Sequence, residues 1–357
     1  MSISYKCQLC DSTDADVTIT SDAKSNEKIN VAFCKKCGLV QLKNIPSDDE
    51  LKIYYSDNYR LDYKKTYYPT IKYVLRAGVT AKSRITFLKE TIDTNNKTLL
   101  DIGAGGGEFV YLASVNGFNA TGIEPNKGYS EYAKKEYSVE IKTMMLDDVK
   151  SASADIVTLF HVFEHMANPK LVMSKIYNVV TDGGHLFIEV PNILTKDTSP
   201  HNIYFKAHLF NYSRYTLISA ASRYFDPICV KDDRNLRIIF KKKQRPLNTE
   251  IFPSIDDVKH TKTRLRQKGW FEYLFSGGGI LRPFKRIQQI YIEKKLNKTL
   301  KPRRLLDELW KNNSSFEKSA EIIEDIELFI NYYSNIRLED ETIKNINTVL
   351  NSYQSFC

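Results

Sequence analysis

The stretch LLDIGAGGGEFV, Leu99 to Val110, constrains this chain more than any other dozen residues. An apolar run ends at Asp101-Ile102, glycines crowd the next five positions, and Glu108-Phe109-Val110 resumes an apolar pattern. This reads as a buried strand that breaks into a glycine-rich turn and opens a helix, with glycines where the backbone needs unusual dihedrals or close approach. The following residues keep the same rhythm. The short apolar runs NATGIEP, DIVTLF and HLFIEVP alternate with the amphipathic stretches FVYLASVNG, YSEYAKKEY and PKLVMSKIYNVV. Strands alternating with helices predict an α/β fold, a parallel Rossmann-like sheet with helices on both faces. The pieces YFDPICVKD and LRIIFKKK are expected to close one edge as a hairpin-like pair.

Four segments follow from composition. Residues 1–45 carry paired cysteines around a polar middle, and residues 46–95 are tyrosine-rich before turning helical at IKYVLRAGVTAKSRITFLKETI. Residues 96–243 are the α/β segment, and residues 244–357 are expected to be basic and mainly helical. Between 241 and 304 there are 18 lysines and arginines against 5 acidic residues, while the whole chain is only +9, so the positive charge is regional. No apolar run approaches the roughly 18 residues that span a bilayer. The start, MSISYKCQLCDS, has no apolar signal region, which predicts a cytoplasmic chain.

Cys7, Cys10, Cys34 and Cys37 form the pattern C-x2-C-x23-C-x2-C, with Gly38 following the second pair. Two tight turns presenting four thiolates suit tetrahedral zinc, and four protein ligands make the predicted site structural. Cys229 and Cys357 read as a core thiol and a tail thiol.

The glycine turn has two candidate cofactor classes. A dinucleotide site wants G-x-G-x-x-G, but counting from Gly103 puts Glu108 at the third glycine position, and counting from Gly105 also fails. Carboxylates at Asp101 and Glu108 would repel a pyrophosphate; beside a cofactor carrying an ammonium and a sulfonium they are tolerable. The run Asp101-x-Gly103-x-Gly105-x-Gly107 resembles the first motif of class I methyltransferases, whose cofactor is S-adenosyl-L-methionine. The resemblance implies that Glu124, 23 residues after Asp101 at the end of the next strand, accepts hydrogen bonds from the ribose hydroxyls. It also implies an adenine wall near MMLDD, with Met145 and Leu146 flanking the ring and Asp147 accepting from its amino group.

FHVFEHMANP carries His161, Glu164 and His165 as H-x-x-E-H, a pattern shared with some zinc proteases. A protease would need it inside a helix, whereas here it follows the apolar strand ADIVTLF and Pro169 marks the next helix start. The same run resembles the segment after the fourth strand in sugar and small-molecule methyltransferases. That resemblance puts His161 near the cofactor, and Glu164 and His165 towards the substrate cleft or in a loop-orienting role.

Residues 5–240 together resemble bacterial sugar methyltransferases with an N-terminal zinc module, on CKKCGLVQL, DIGAGGGEF, FHVFEH and AHLFNYS. Relatives of this kind methylate nucleotide-linked deoxysugars at carbon, or sugar hydroxyls. The resemblance implies a base from the segment IYFKAHLFNYS, where His208 matches well. Tyr204 is displaced by one residue and an expected glutamate is absent, which favours a hydroxyl acceptor over carbon. Tyr54, Tyr55 and Tyr59 are candidate caps over the cofactor or sugar.

The basic segment, in which Phe284, Ile287, Tyr291 and Leu300 recur at near-helical spacing, fits three readings. It is a helix on an anionic membrane surface, a dock for a lipid-linked or phosphorylated glycan, or a cover over the catalytic domain. No nucleic-acid motif accompanies the charge. The expectation is an S-adenosylmethionine-dependent methyltransferase acting on a nucleotide-linked sugar or a surface glycan. Methylation of another metabolite or an RNA, and a catalytically silent cofactor-binding scaffold, stand as alternatives.

Overall fold

The structure, a computed structural model, describes residues 5–47, 50, 68–295 and 301–311. The chain divides into two compact units, Met1–Trp310 and Lys311–Cys357, and the second falls outside the described residues apart from Lys311. Tyr54, Tyr55 and Tyr59 also lie outside them.

The N-terminal cysteine segment folds as strands β1 (Ala15–Ser21), β2 (Lys28–Cys34) and β3 (Val40–Leu42), paired antiparallel in sequence order. The α/β segment contributes β4 (Thr98–Ile102), β5 (Asn119–Ile123), β6 (Ile141–Lys142), β7 (Ala154–Phe160) and β8 (Val180–Pro191). A two-residue strand β9 (Phe210–Asn211) follows, then β10 (Phe225–Asp232) and β11 (Asn235–Lys242).

Seven strands form one sheet in the order β10-β11-β8-β7-β4-β5-β6. Neighbours from β8 to β6 are parallel, and the β10–β11 hairpin adds to the edge with β11 antiparallel to both its neighbours. The hairpin expectation therefore holds. The chain builds outwards from β4 to β6 and then returns to lay β7 on the other side of β4. Loops leaving the carboxyl ends of β4 and β7 must part, and a crevice opens between them.

Helix α1 (Ile71–Thr91) is capped by Thr70 and precedes β4. Helices α2 (Glu108–Ser114), α3 (Lys127–Tyr137) and α4 (Pro169–Val179) are the crossovers, the last with Pro169 at its first turn as its sequence predicts. The Ser213 capping box starts α5 (Arg214–Ala221). The basic region supplies α6 (Ile255–Gln267), α7 (Trp270–Phe275), α8 (Arg282–Lys295) and α9 (Pro302–Lys311).

Period-two alternation sends Leu99, Ile156 and Phe187 to one face of the sheet and Leu100, Val157 and Ile188 to the other. The first face packs on α1, α2 and α9, where Leu305, Leu306 and Leu309 are buried. Helix α9 thus covers this face of the sheet. Phe284 and Ile287 of α8 remain exposed. The second face packs on α4 and α5 and also on Leu9, Leu39 and the four cysteines, so the cysteine module shares the α/β segment's core. A further link comes from β9, inside AHLFNYS, which pairs with β3 through Val40–Asn211 and Gln41–Phe210.

Gly107 lies at φ +85°, and a Cβ there would approach Ala133 Cβ to 2.7 Å and Ile141 Cδ1 to 2.9 Å. Gly183 has φ +74° but open space around the same position. Gly107→Ala is expected to lower unfolding free energy by about 2–4 kcal/mol, strain plus overpacking. Gly183→Ala, with strain alone, should lose about 1 kcal/mol. Urea titration of both variants checks the ordering.

Candidate active site

The crevice at the carboxyl ends of β4 and β7 is a cavity of about 840 Å³. Gly103 (φ +74°) and Gly105 (φ +55°) line it in left-handed backbone. A Cβ on Gly103 would stand 2.5 Å from Val162 Cγ2, so this glycine lets the loops after β4 and β7 approach each other. Gly107 does not line the cavity. Its glycine requirement comes from the packing of α2 on α3, which departs from the cofactor-binding role its motif position implies.

Three buried carboxylates, Asp101, Glu108 and Glu124, surround this turn and line the cavity. Glu124 Oε2 accepts from the Gly105 amide at 2.9 Å and Oε1 from the Asn126 amide at 3.1 Å, so it braces the turn. Asp101 accepts from the Thr158 hydroxyl at 2.6 Å. Burial, helped by the neighbouring Glu124 charge, pushes its carboxyl up to about 7 against the lowering effect of Thr158 and Arg84. Met145, Leu146 and Asp147 line the cavity as expected from MMLDD, with Met144 beside them. Asp147 is half exposed and held by Lys175 Nζ at 2.5 Å.

Helix α1 adds cations to the lining. Lys72, Arg76, Thr80 and Arg84 recur at helical spacing along α1 and all line the cavity. Arg76 and Lys72 meet Glu293 of α8 at 2.5 and 3.5 Å. Arg84 pairs with the fully buried Glu189 at 2.7 Å, which also accepts from Arg237 Nε at 2.6 Å and meets His161 Nε2 at 3.1 Å. His161 lines the cavity with its backbone at φ +55°. Burial disfavours its charged form, but Glu164 and Glu189 outweigh that and push its pKa up to about 9. Glu189 escaped the sequence reading because nothing local marks it. For Arg84 the signal available was the helical spacing of Lys72, Arg76 and Arg84, four and then eight residues apart.

His165, in the turn Phe163–His165, lines the cavity; His208 does not line it but packs behind, with ring centroids 5.0 Å apart. Burial, with the His165 charge adding to it, pulls His208 down to about 3, against the near-neutral titration expected of a base. Tyr204 goes elsewhere: it packs against Val31, Phe33, Val40 and Val258 and does not line the cavity. The displacement by one residue seen in the sequence turns its ring towards the cysteine module.

That module brings Cys7, Cys10, Cys34 and Cys37 together, all buried, with sulfurs within 4.8 Å of one another. The Cys7–Cys37 and Cys10–Cys34 sulfurs are 3.6 and 3.5 Å apart. A tetrahedral metal with ~2.3 Å bonds to sulfur asks for about 3.8 Å. The buried Tyr5 hydroxyl, close enough to Cys7 and Cys34 to feel their charge, has no hydrogen-bond partner among the described residues.

A family model described as "Methyltransferase domain" matches residues 75–242. The Marinobacter nauticus protein named ubiquinone biosynthesis O-methyltransferase is 25% identical over 119 residues, 30% of this chain and 50% of that protein. The Aeromonas salmonicida protein of the same name is 32% identical over 104 residues, 27% of this chain and 44% of its own. The chain thus spans about half the length of the curated relatives it matches. The crystal structure of an S-adenosylmethionine dependent methyltransferase from Mesorhizobium loti overlays with a TM-score of 0.39 at 11% identity, covering 45% of this chain and 98% of that one.

Because folding raises the Asp101 pKa from 3.8 to about 7, its stabilising contribution is complete below pH ~4 and is lost as pH rises through 7. Asp101→Asn removes that titration. Its melting temperature should exceed wild type at pH 8 and converge with it near pH 4, read from a pH series of thermal melts.

Proposed function

We propose that this protein is an S-adenosylmethionine-dependent methyltransferase acting on a hydroxyl of an anionic sugar, nucleotide-linked or in a surface glycan. The observation that carries the cofactor class is the ring of three buried carboxylates around a glycine turn. Negative charge at that density repels a pyrophosphate and favours a ligand bearing an ammonium and a sulfonium. When bound, S-adenosylmethionine supplies a methyl group already activated on sulfur.

The chain's own residues then hold and orient. Glu124 accepts from ribose hydroxyls, Asp101 and Glu108 face cationic parts, and Met145 and Leu146 flank the adenine. Fixing acceptor and methyl in line accounts for most of what such a reaction needs from a protein. Lys72 and Arg76 together exceed the single charge of their partner Glu293 and support an acceptor that carries phosphate. His165 is the imidazole of this pair that lines the cavity, with His208 packed behind it. The cysteine cluster, we infer, holds structural zinc: its sulfur separations fit a tetrahedral site, and Tyr5 stands ready to donate to a thiolate.

A second reading has one observation in its favour. The matched curated relatives are named for O-methylation in ubiquinone biosynthesis, which points to a hydroxyl on a quinone precursor. Labelled S-adenosylmethionine fed with the protein to a lysate lacking the gene separates the readings. Label in nucleotide sugars or envelope glycan supports the sugar. Label in the quinone fraction replaces it, and no label in any fraction overturns the transferase itself.

Glu124→Ala is expected to weaken cofactor binding at least tenfold in calorimetry, and unchanged affinity would remove the ribose assignment. His208→Ala should lower turnover in the labelling assay while sparing cofactor affinity. Full activity would end its part in the reaction.

A further inference from the structure

We propose that Glu164, His165 and His208 form a divalent-metal site in the wall of the cavity, separate from the cysteine cluster. One ligand atom from each of the three lies within 4.8 Å of the others. Sites with this donor set, two imidazoles and a carboxylate, suit Zn²⁺ and related first-row ions.

Three features argue that the cluster is built for a cation. Glu164 is 1% exposed, and neither carboxylate oxygen has a hydrogen-bond partner among the described residues. Its nearest basic group, His161 Nδ1, is 3.4 Å from Oε1 and does not reach hydrogen-bond geometry. His161 offsets part of the cost of burying that carboxylate, but both oxygens keep lone pairs that a bound cation can take. Next, His165 Nδ1 lies 2.7 Å from the Ala207 carbonyl. A carbonyl only accepts, so Nδ1 carries a proton, and in the neutral imidazole the lone pair is then on Nε2, which is 3.9 Å from Glu164 Oε1. A backbone carbonyl fixing the tautomer of a histidine is the usual support of a metal ligand. Finally, Ala207 orients one imidazole while the adjacent His208 supplies the other, and β9 pins this segment to β3 only two residues on.

The separations are wider than the roughly 3.3 Å edge of a tetrahedral site with ~2.1 Å bonds. Side-chain shifts of under about 1 Å close that gap, well within what rotamers allow. Three protein ligands leave a coordination position open, and His165 is the ligand that also lines the cavity. On the methyltransferase reading proposed above, that position takes the acceptor hydroxyl and lowers its pKa. The hydroxyl proton passes to solvent water and the oxygen–methyl bond forms. The carbon–sulfur bond breaks with its electron pair kept by sulfur, so no oxidant or reductant enters. Two residues of the H-x-x-E-H run, Glu164 and His165, thus bind metal without a protease helix, by recruiting His208 from a distant segment.

Co²⁺ titration of the full-length, zinc-loaded protein tests the site directly. The expected result is one further metal equivalent per chain whose visible absorption carries no thiolate charge-transfer band. In His208→Ala, and in Glu164→Gln, that equivalent should bind at least tenfold more weakly. Circular dichroism checks folding, and if the buried Glu164 variant fails to fold, His208→Ala decides. The proposal is overturned if the wild type takes no further equivalent, if the added Co²⁺ reports thiolate ligation, or if His208→Ala binds it as well as wild type. Cofactor calorimetry on the same samples separates the two claims. Cobalt bound as expected with no heat from S-adenosylmethionine supports the metal site while the methyltransferase reading fails.

Discussion

A fully buried carboxylate, Glu189 near the end of β8, organises the cavity. It is neutralised by Arg84 from α1, Arg237 from β11 and His161 from the loop after β7. Burial alone would raise its pKa, but these partners hold it well below the usual carboxylate range. Removing one partner of such a buried cluster typically costs about 3–5 kcal/mol, because the remaining charge is stranded. Four separate elements are thereby tied at one point, and the left-handed backbone of His161 is held there.

From that point the cavity acquires both signs of charge: Asp101, Glu108 and Glu124 around the glycine turn, and Lys72, Arg76 and Arg84 along α1. The mixture follows from topology as much as from composition. The carboxylates sit at the end of β4, the start of α2 and the end of β5, while the cations ride on a helix that precedes the sheet. Arg84 is near enough to Asp101 to lower its pKa against the effect of burial.

The cysteine module is part of the α/β segment in physical terms. Its cysteines, Leu9 and Leu39 pack in the same apolar cluster as one face of the large sheet, and β9 joins it by backbone hydrogen bonds. Stabilising the four-cysteine cluster therefore steadies the segment that carries His208 and orients His165. Helix α9 does the corresponding work on the other face, with Leu306 and Leu309 close over Gly78.

Much of this was legible in the residues. Periodicity marks the β4–α2 turn, the alternating core of β7 and β8 and the edge hairpin, because strands buried on both faces leave continuous apolar runs. Spacing marks the four cysteines, and local acidity around Asp101 and Glu124 points away from a pyrophosphate. These features depend on neighbours in sequence, which a sequence records. The structure alone decided which distant groups meet: that Glu189 collects Arg84 and Arg237, that Tyr204 turns to the cysteine module, that Gly107 serves packing, and that His208 joins Glu164 and His165. Each is a long-range pairing fixed by sheet order and shared core packing, and no local pattern encodes it.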